Sequence, residues 1–254
     1  MKRVRVIPVL LLQNSDLVKT TRFRDPVYVG DPINAVRIFN EKRVDEIILL
    51  DISERRNGEL AEQRLGEIAS EAFMPMAYGG GIQEVRQVER ILKLGVEKVV
   101  LNSAAMSNPA LVTQIARQFG SQSVVVSIDA RRRLWFGYRV FGEGGRKPTS
   151  LDPATHAKRM EDAGAGELLI TSIAREGTLL GYDISLVRTV SEAVRVPVIA
   201  CGGAGEVQHF AAAVQEAGAS AVAASSMFVF HGKHRAVLIS FPDEAVLRKE
   251  LYTS

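Results

Sequence analysis

Two carboxylates close apolar runs in this sequence, Asp51 after Ile47–Leu50 and Asp129 after Ser123–Ile128. A carboxylate at the end of such a run can move a proton or hold a ligand hydroxyl. It can equally cap the loop that follows. Beside them stand two turns of one pattern. Gly79-Gly80-Gly81 leads on to Asn102-Ser103, and Gly202-Gly203 leads on to Ser225-Ser226 at nearly the same spacing. Glycine lets bare backbone N–H groups approach an anion, so the repeat reads as two grips for a ligand with phosphates at opposite ends. Thr171-Ser172 and the turn Arg175-Glu176-Gly177-Thr178 add polar groups. Lys19 falls in a polar loop after the first apolar run, Lys19-Thr20-Thr21-Arg22-Phe23, which reads as mobile, so this cation either closes over an anion or sits in solvent.

Other chemistries lack their residues. The single cysteine, Cys201, excludes an internal disulfide and a cysteine-rich metal site, and reads as a small buried residue. The four histidines, His156, His209, His231 and His234, have no metal-site spacing. The first two fall in helical patterns and read as surface groups. Ser172 has neither the Gly-x-Ser-x-Gly turn nor a histidine partner nearby. No cofactor is implied.

The elements that must position these groups alternate through the chain. Apolar runs at Val4–Leu12, Ile47–Asp51, Met76–Tyr78, Lys98–Leu101, Ser123–Asp129, Leu168–Thr171, Val198–Ala200 and Ala221–Ala224 read as strands buried on both faces of a parallel sheet. Helical patterns separate them, from about Asp31 to Lys42, with Asp31-Pro32 as a start signal, through to Val207–Glu216. Aromatic alternation over Leu134–Lys147 suggests a hairpin inserted after the fifth strand. Eight βα units predict a (β/α)₈ TIM barrel with a half-barrel internal repeat, rather than an open doubly wound sheet. No linker interrupts the pattern, so residues 1–254 read as one domain. In such a barrel the strands' C-terminal ends carry the chemistry, which is where the residues above fall.

Size and composition fit this reading. The 254 residues are 46% hydrophobic and 24% charged, which suits a soluble domain with a sizeable core. A net charge of +3 does not demand nucleic acid, and Arg131-Arg132-Arg133 reads as a solvated loop. A mildly positive mouth would suit an anionic substrate. No apolar run is long enough to cross a membrane, and the start Met1-Lys2-Arg3-Val4-Arg5 lacks a cleavage pattern, so a cytoplasmic location is expected.

Longer stretches carry a resemblance. Arg3-Val4-Arg5-Val6-Ile7-Pro8, Gly30-Asp31-Pro32, Gly79-Gly80-Gly81-Ile82, Asn102-Ser103-Ala104-Ala105, Gly177-Thr178, Gly181-Tyr182-Asp183 and Gly202-Gly203-Ala204-Gly205 are among them. Over nearly its whole length the chain resembles the cyclase subunit (HisF) of imidazole glycerol phosphate synthase. The resemblance implies a (β/α)₈ barrel with two phosphate sites. It implies a glutaminase partner docked at the barrel's N-terminal face, with ammonia passing through the barrel. It also implies a gate of charged residues at Arg5, Glu46, Lys98 and Glu167. Two cations and two anions suit such a ring, because charges inside a barrel must pair.

The departures concern the chemistry. The family uses two aspartates, at the ends of the first and fifth strands. The fifth-strand position is Asp129, but the first-strand position is Leu11, which can neither carry a proton nor accept a hydrogen bond. Ala174 stands where an aspartate is usual, and Glu176 replaces another aspartate. Altered substrate chemistry behind an intact gate resembles a branch of the family linked to surface-polysaccharide synthesis, in which an acetamido group on a nucleotide sugar becomes acetamidino. Val9–Asn14, Leu17–Thr20 and the stretches Phe228–Lys233 and Arg235–Pro242 are similar to that branch. The expected function is therefore an ammonia-using subunit of a glutamine amidotransferase, acting on a phosphorylated acceptor. The alternatives are the histidine-pathway cyclase itself and a catalytically silent barrel that scaffolds a glutaminase.

Overall fold

The computed structural model describes residues 3–53 and 62–252; Met1 and Lys2, read above for a leader, lie outside that range. Eight parallel strands form the centre: β1 (Arg5–Gln13), β2 (Ile47–Asp51), β3 (Met76–Gly79), β4 (Lys98–Leu101), β5 (Val124–Arg133), β6 (Glu167–Ser172), β7 (Val198–Cys201) and β8 (Ala221–Ala224). Each pairs with the next and β8 pairs with β1, so the sheet closes into the expected barrel. Helices α1 (Pro32–Glu41), α2 (Glu62–Glu71), α3 (Val85–Lys93), α4 (Pro109–Phe119), α5 (Pro153–Asp162), α6 (Ile184–Ser191), α7 (Val207–Gln215) and α8 (Glu244–Glu250) follow the strands in turn. α1 starts where the sequence predicts: Pro32 occupies the first turn and the Asp31 carboxylate accepts from the Asn34 N–H at 3.0 Å.

The strands read as continuous apolar runs because both faces are covered. One set of alternate residues, such as Val6, Leu10, Ile47 and Val126, packs under the helices. The other set, including Ile7, Val9, Ile48, Ala77, Leu169 and Ala223, fills the barrel interior. The half-barrel repeat is visible in the loops. Glycine turns follow β3 and β7, and short helices, Ser103–Ser107 and Ser226–Val229, follow β4 and β8.

Three antiparallel excursions rise from the C-terminal rim. The expected hairpin is there, but β5 runs on through Arg133 and pairs with Gly137–Gly142, so Arg131-Arg132-Arg133 is strand and not a loop. The segment after β1, read as a polar loop, is also a hairpin, Asp16–Thr21 against Arg24–Gly30. A small third one pairs Phe230–His231 with Ala236–Val237. His156 is a further correction. It is buried, at 1% exposure, because it shares the inward face of α5 with Pro153, Ala157 and Met160.

Candidate active site

At the N-terminal end of the interior, Arg5, Lys98 and Glu167 are the first residues of their strands and Glu46 precedes β2. Strand alternation points them inward below Ile7, Ile48, Val100 and Leu169. Their charges close a ring. Arg5 donates from Nη1 to Glu46 Oε2 at 2.5 Å and from Nη2 to Glu167 Oε1 at 2.6 Å. Lys98 Nζ reaches Glu46 Oε1 at 2.9 Å and Glu167 Oε2 at 3.1 Å. Each cation touches both anions, and the four side chains are mostly sheltered from solvent. Burial works against the Arg5 charge, but Glu167 and Glu46 outweigh it and raise its pKa. The set of four is neutral, which is what permits it inside a barrel.

At the other end, Asp129 is buried on β5. Asn102 donates from Nδ2 to Asp129 Oδ2 at 3.1 Å and also to the Ser127 carbonyl at 3.0 Å. Ser127 Oγ lies 3.4 Å from Oδ1, and Thr171, the register partner of Asp129 on β6, adds a further hydrogen bond. Burial pushes the carboxyl up to about 7 against the lowering effect of the Ser127, Thr171 and Asn102 hydrogen bonds, and repulsion from Glu176 adds to the rise. Asp129 is thus suited to exchange protons near neutrality. Asn102, expected at a phosphate grip, has its side-chain amide committed to this carboxylate. Cys201, beside Thr171 in register, is buried with its thiol pushed up to about 12, which makes it an inert wall. Facing these polar groups, Leu11 and Leu50 pack onto the interior cluster from β1 and β2.

The glycine turns stand on this same rim. A Cβ on Gly80 would lie 2.7 Å from Asp51 Cβ, so only glycine lets the turn after β3 close on the end of β2. Gly81 follows it. Asp51 Oδ1 accepts from the Ser53 N–H at 2.9 Å and Tyr78 O–H lies 3.4 Å from Oδ2, which is loop-holding geometry. Across the ring, a Cβ on Gly203 would lie 2.2 Å from the Gly181 carbonyl, so Gly202-Gly203 packs tightly under the β6–α6 loop. Ser225 precedes the short helix Ser226–Val229, and Ser226 Oγ is buried without a hydrogen-bond partner among the described residues. On the other side Ser103 Oγ donates to Asn102 Oδ1 at 3.3 Å and accepts from the Glu143 N–H at 3.2 Å.

Lys19 is neither solvated nor in an open loop. It lies in the first hairpin, is buried, and makes an ion pair with Glu176. Thr20 Oγ1 lies 3.5 Å from the other oxygen of Glu176, and the Arg22 N–H donates to the Glu176 carbonyl at 2.9 Å. The next residue, Gly177, accepts from Arg235 Nη1 at 3.4 Å. The first hairpin is therefore strapped to the β6–α6 loop over the mouth. Sequence reasoning missed Glu176 as the partner of Lys19, because 157 positions separate them. It also missed Tyr138, whose O–H donates to Asp183 Oδ1 at 2.6 Å and ties the β5 hairpin to the start of α6.

Comparison with known proteins accords with this geometry. The model of the histidine biosynthesis protein family matches residues 5–235. A Pseudomonas aeruginosa PAO1 protein, provisionally named imidazole glycerol phosphate synthase subunit hisF2, is 53% identical over 244 residues, covering 96% of this chain and 97% of that one. A Vibrio vulnificus YJ016 protein provisionally named subunit hisF3 of the same synthase is 47% identical, covering 99% and 97%. A Leptospira borgpetersenii protein provisionally named subunit HisF is 45% identical, covering 96% of both chains. The chain belongs to the histidine biosynthesis protein family.

Proposed function

We propose that this chain is the barrel subunit of a two-component glutamine amidotransferase working in the cytoplasm. A glutaminase sits on its N-terminal face, and ammonia crosses the interior to a phosphorylated acceptor at the other rim. The acceptor is an acetamido-bearing nucleotide sugar of surface-polysaccharide synthesis. The observation that carries the reading is a complete four-charge ring at one end of an apolar interior, with Leu11 in place of an acid at the other. An apolar lining favours neutral ammonia over ammonium, and alanines at positions 77, 221 and 223 keep the lining small. Phe73, 85% exposed in the loop entering β3, offers the N-terminal face an apolar anchor.

On the opposite rim Gly80, Gly81 and Ser103 form one anion grip, and Gly202, Gly203, Ser225 and Ser226 the other. The orphan hydroxyl of Ser226 is suited to a ligand oxygen. Asp51 and Thr171 line the space between, and Gly177 holds the loop above it. When ammonia adds to the acetamido carbon, the new ammonium nitrogen must lose a proton, and the former carbonyl oxygen leaves as water to give the acetamidino group. Asp129, with its pKa near 7, can accept it. Lys19 holds the overlying hairpin through Glu176.

The provisional names of the relatives favour a second reading, the histidine-pathway cyclase with Asp129 acting alone. Expression with the glutaminase partner in a histidine-requiring strain lacking its own cyclase separates the two. No rescue is expected; growth at the normal rate would overturn the proposal.

A further inference from the structure

The β5 hairpin ends in three consecutive apolar side chains held in solvent. Leu134 is 91% exposed, Trp135 85% and Phe136 59%. The tip is ordered: the strands pair from Asp129–Phe141 out to Arg133–Gly137, and the Phe136 N–H closes the turn on the Arg133 carbonyl at 3.2 Å. The base is also fixed, by Tyr138 on Asp183 and by the Val140 N–H on the Leu151 carbonyl at 2.9 Å. Exposing such a run on a rigid arm raises aggregation risk and adds nothing to the core. Around it stand Arg131, Arg132, Arg133 and Arg139, and the tip from Arg131 to Arg139 holds neither lysine nor acid. Arg133 lies over the Phe136 ring at 5.7 Å and Arg131 over Phe141 at 5.1 Å, so the planar guanidinium groups are set beside aromatic faces.

We propose that this prong is a docking surface for a second protein, one with an apolar notch rimmed by carboxylates, which seats over the C-terminal mouth of the barrel. Tryptophan, phenylalanine and arginine are the side chains that anchor protein interfaces. Arginine without lysine matches carboxylates through paired hydrogen bonds, whereas an anionic lipid surface accepts either cation. The prong continues the strand that carries Asp129, so its occupant overhangs the rim that holds the buried acid. A membrane seated there would seal that mouth. The inference concerns the face and its partner, and stands whether or not ammonia traverses the barrel.

The test places a photo-crosslinking benzoylphenylalanine at the Leu134 position of the full chain, in its native host with its glutaminase. The crosslinked protein is identified and purified, and its affinity is measured for wild type, Trp135→Ala and Arg132→Glu. Trp135→Ala should weaken binding on the order of 30-fold, and Arg132→Glu should slow association and flatten its salt dependence. Both side chains face solvent, so melting temperatures should not change. Four results would each overturn the proposal: crosslinking only to the glutaminase, no crosslink, affinity indifferent to Trp135, or Trp135-dependent binding to phosphatidylglycerol vesicles in place of a protein.

Discussion

At the residue scale, two buried groups give opposite pH dependences. Burial raises Asp129 from 3.8 to about 7, so the folded state holds this proton more tightly than the unfolded chain. Its contribution to stability is complete below about pH 4 and is lost as pH rises through about 7. Burial, with Arg159 nearby, lowers His156 from 6.5 to about 4, and both of its ring nitrogens lack hydrogen-bond partners among the described residues. Its contribution is complete above about pH 6.5 and is lost as pH falls through about 4. Between those limits the two oppose, and the wild-type profile is flattened. Asp129→Asn should unmask a steeper loss of stability on acidification, and His156→Leu a loss on alkalinisation, each worth a few kcal/mol across the window. Urea midpoints taken from pH 4 to pH 7 check both, and parallel profiles for the three proteins would contradict the assignment. The inward place of His156 was legible in principle: Pro153, His156, Ala157 and Met160 follow the 3, 4, 7 spacing of a buried helix face. Treating histidine as polar hid it.

At the element scale, the strap between the first hairpin and the β6–α6 loop rests on the Lys19–Glu176 pair. Glu176→Gln leaves a buried ammonium without its counter-charge and should cost roughly 3–5 kcal/mol. Lys19→Met with Glu176→Leu removes both charges and should recover most of that loss. A double-mutant cycle by urea unfolding measures the coupling, and additive single effects would show that the pair is not a unit. The barrel strands were legible because apolar runs with both faces buried need no register to be recognised, and three strand ranges match without adjustment. The first hairpin was not. Its residues include Asp16, Lys19, Arg24 and Asp25, and charged strands on an outer rim lack the alternation that marks a half-buried sheet. Lys19 consequently looked mobile. The glycine turns were legible as close-packed turns at strand ends, but the commitment of Asn102 to Asp129 depends on two strands meeting.

At the scale of the whole molecule, the barrel joins a charged ring at one end to a half-apolar, half-acidic mouth at the other. Lys98→Met leaves Glu46 and Glu167 facing Arg5 alone, so the ring gains a net negative charge and loses two of its contacts. In the complex with its glutaminase this variant should still support glutamine hydrolysis. A larger share of the released ammonia should escape to bulk solution, as read by a coupled ammonia assay. An unchanged share would remove the ring from the route. The most direct measurement of the account is the rate at which the purified two-subunit complex, given glutamine, forms the imidazole product from the histidine-pathway ribonucleotide. With Leu11 where the second acid would stand, the rate should fall about 10²–10⁴-fold below that of a relative bearing aspartate there, while glutamine hydrolysis persists. Imidazole formation at the relative's rate would contradict it.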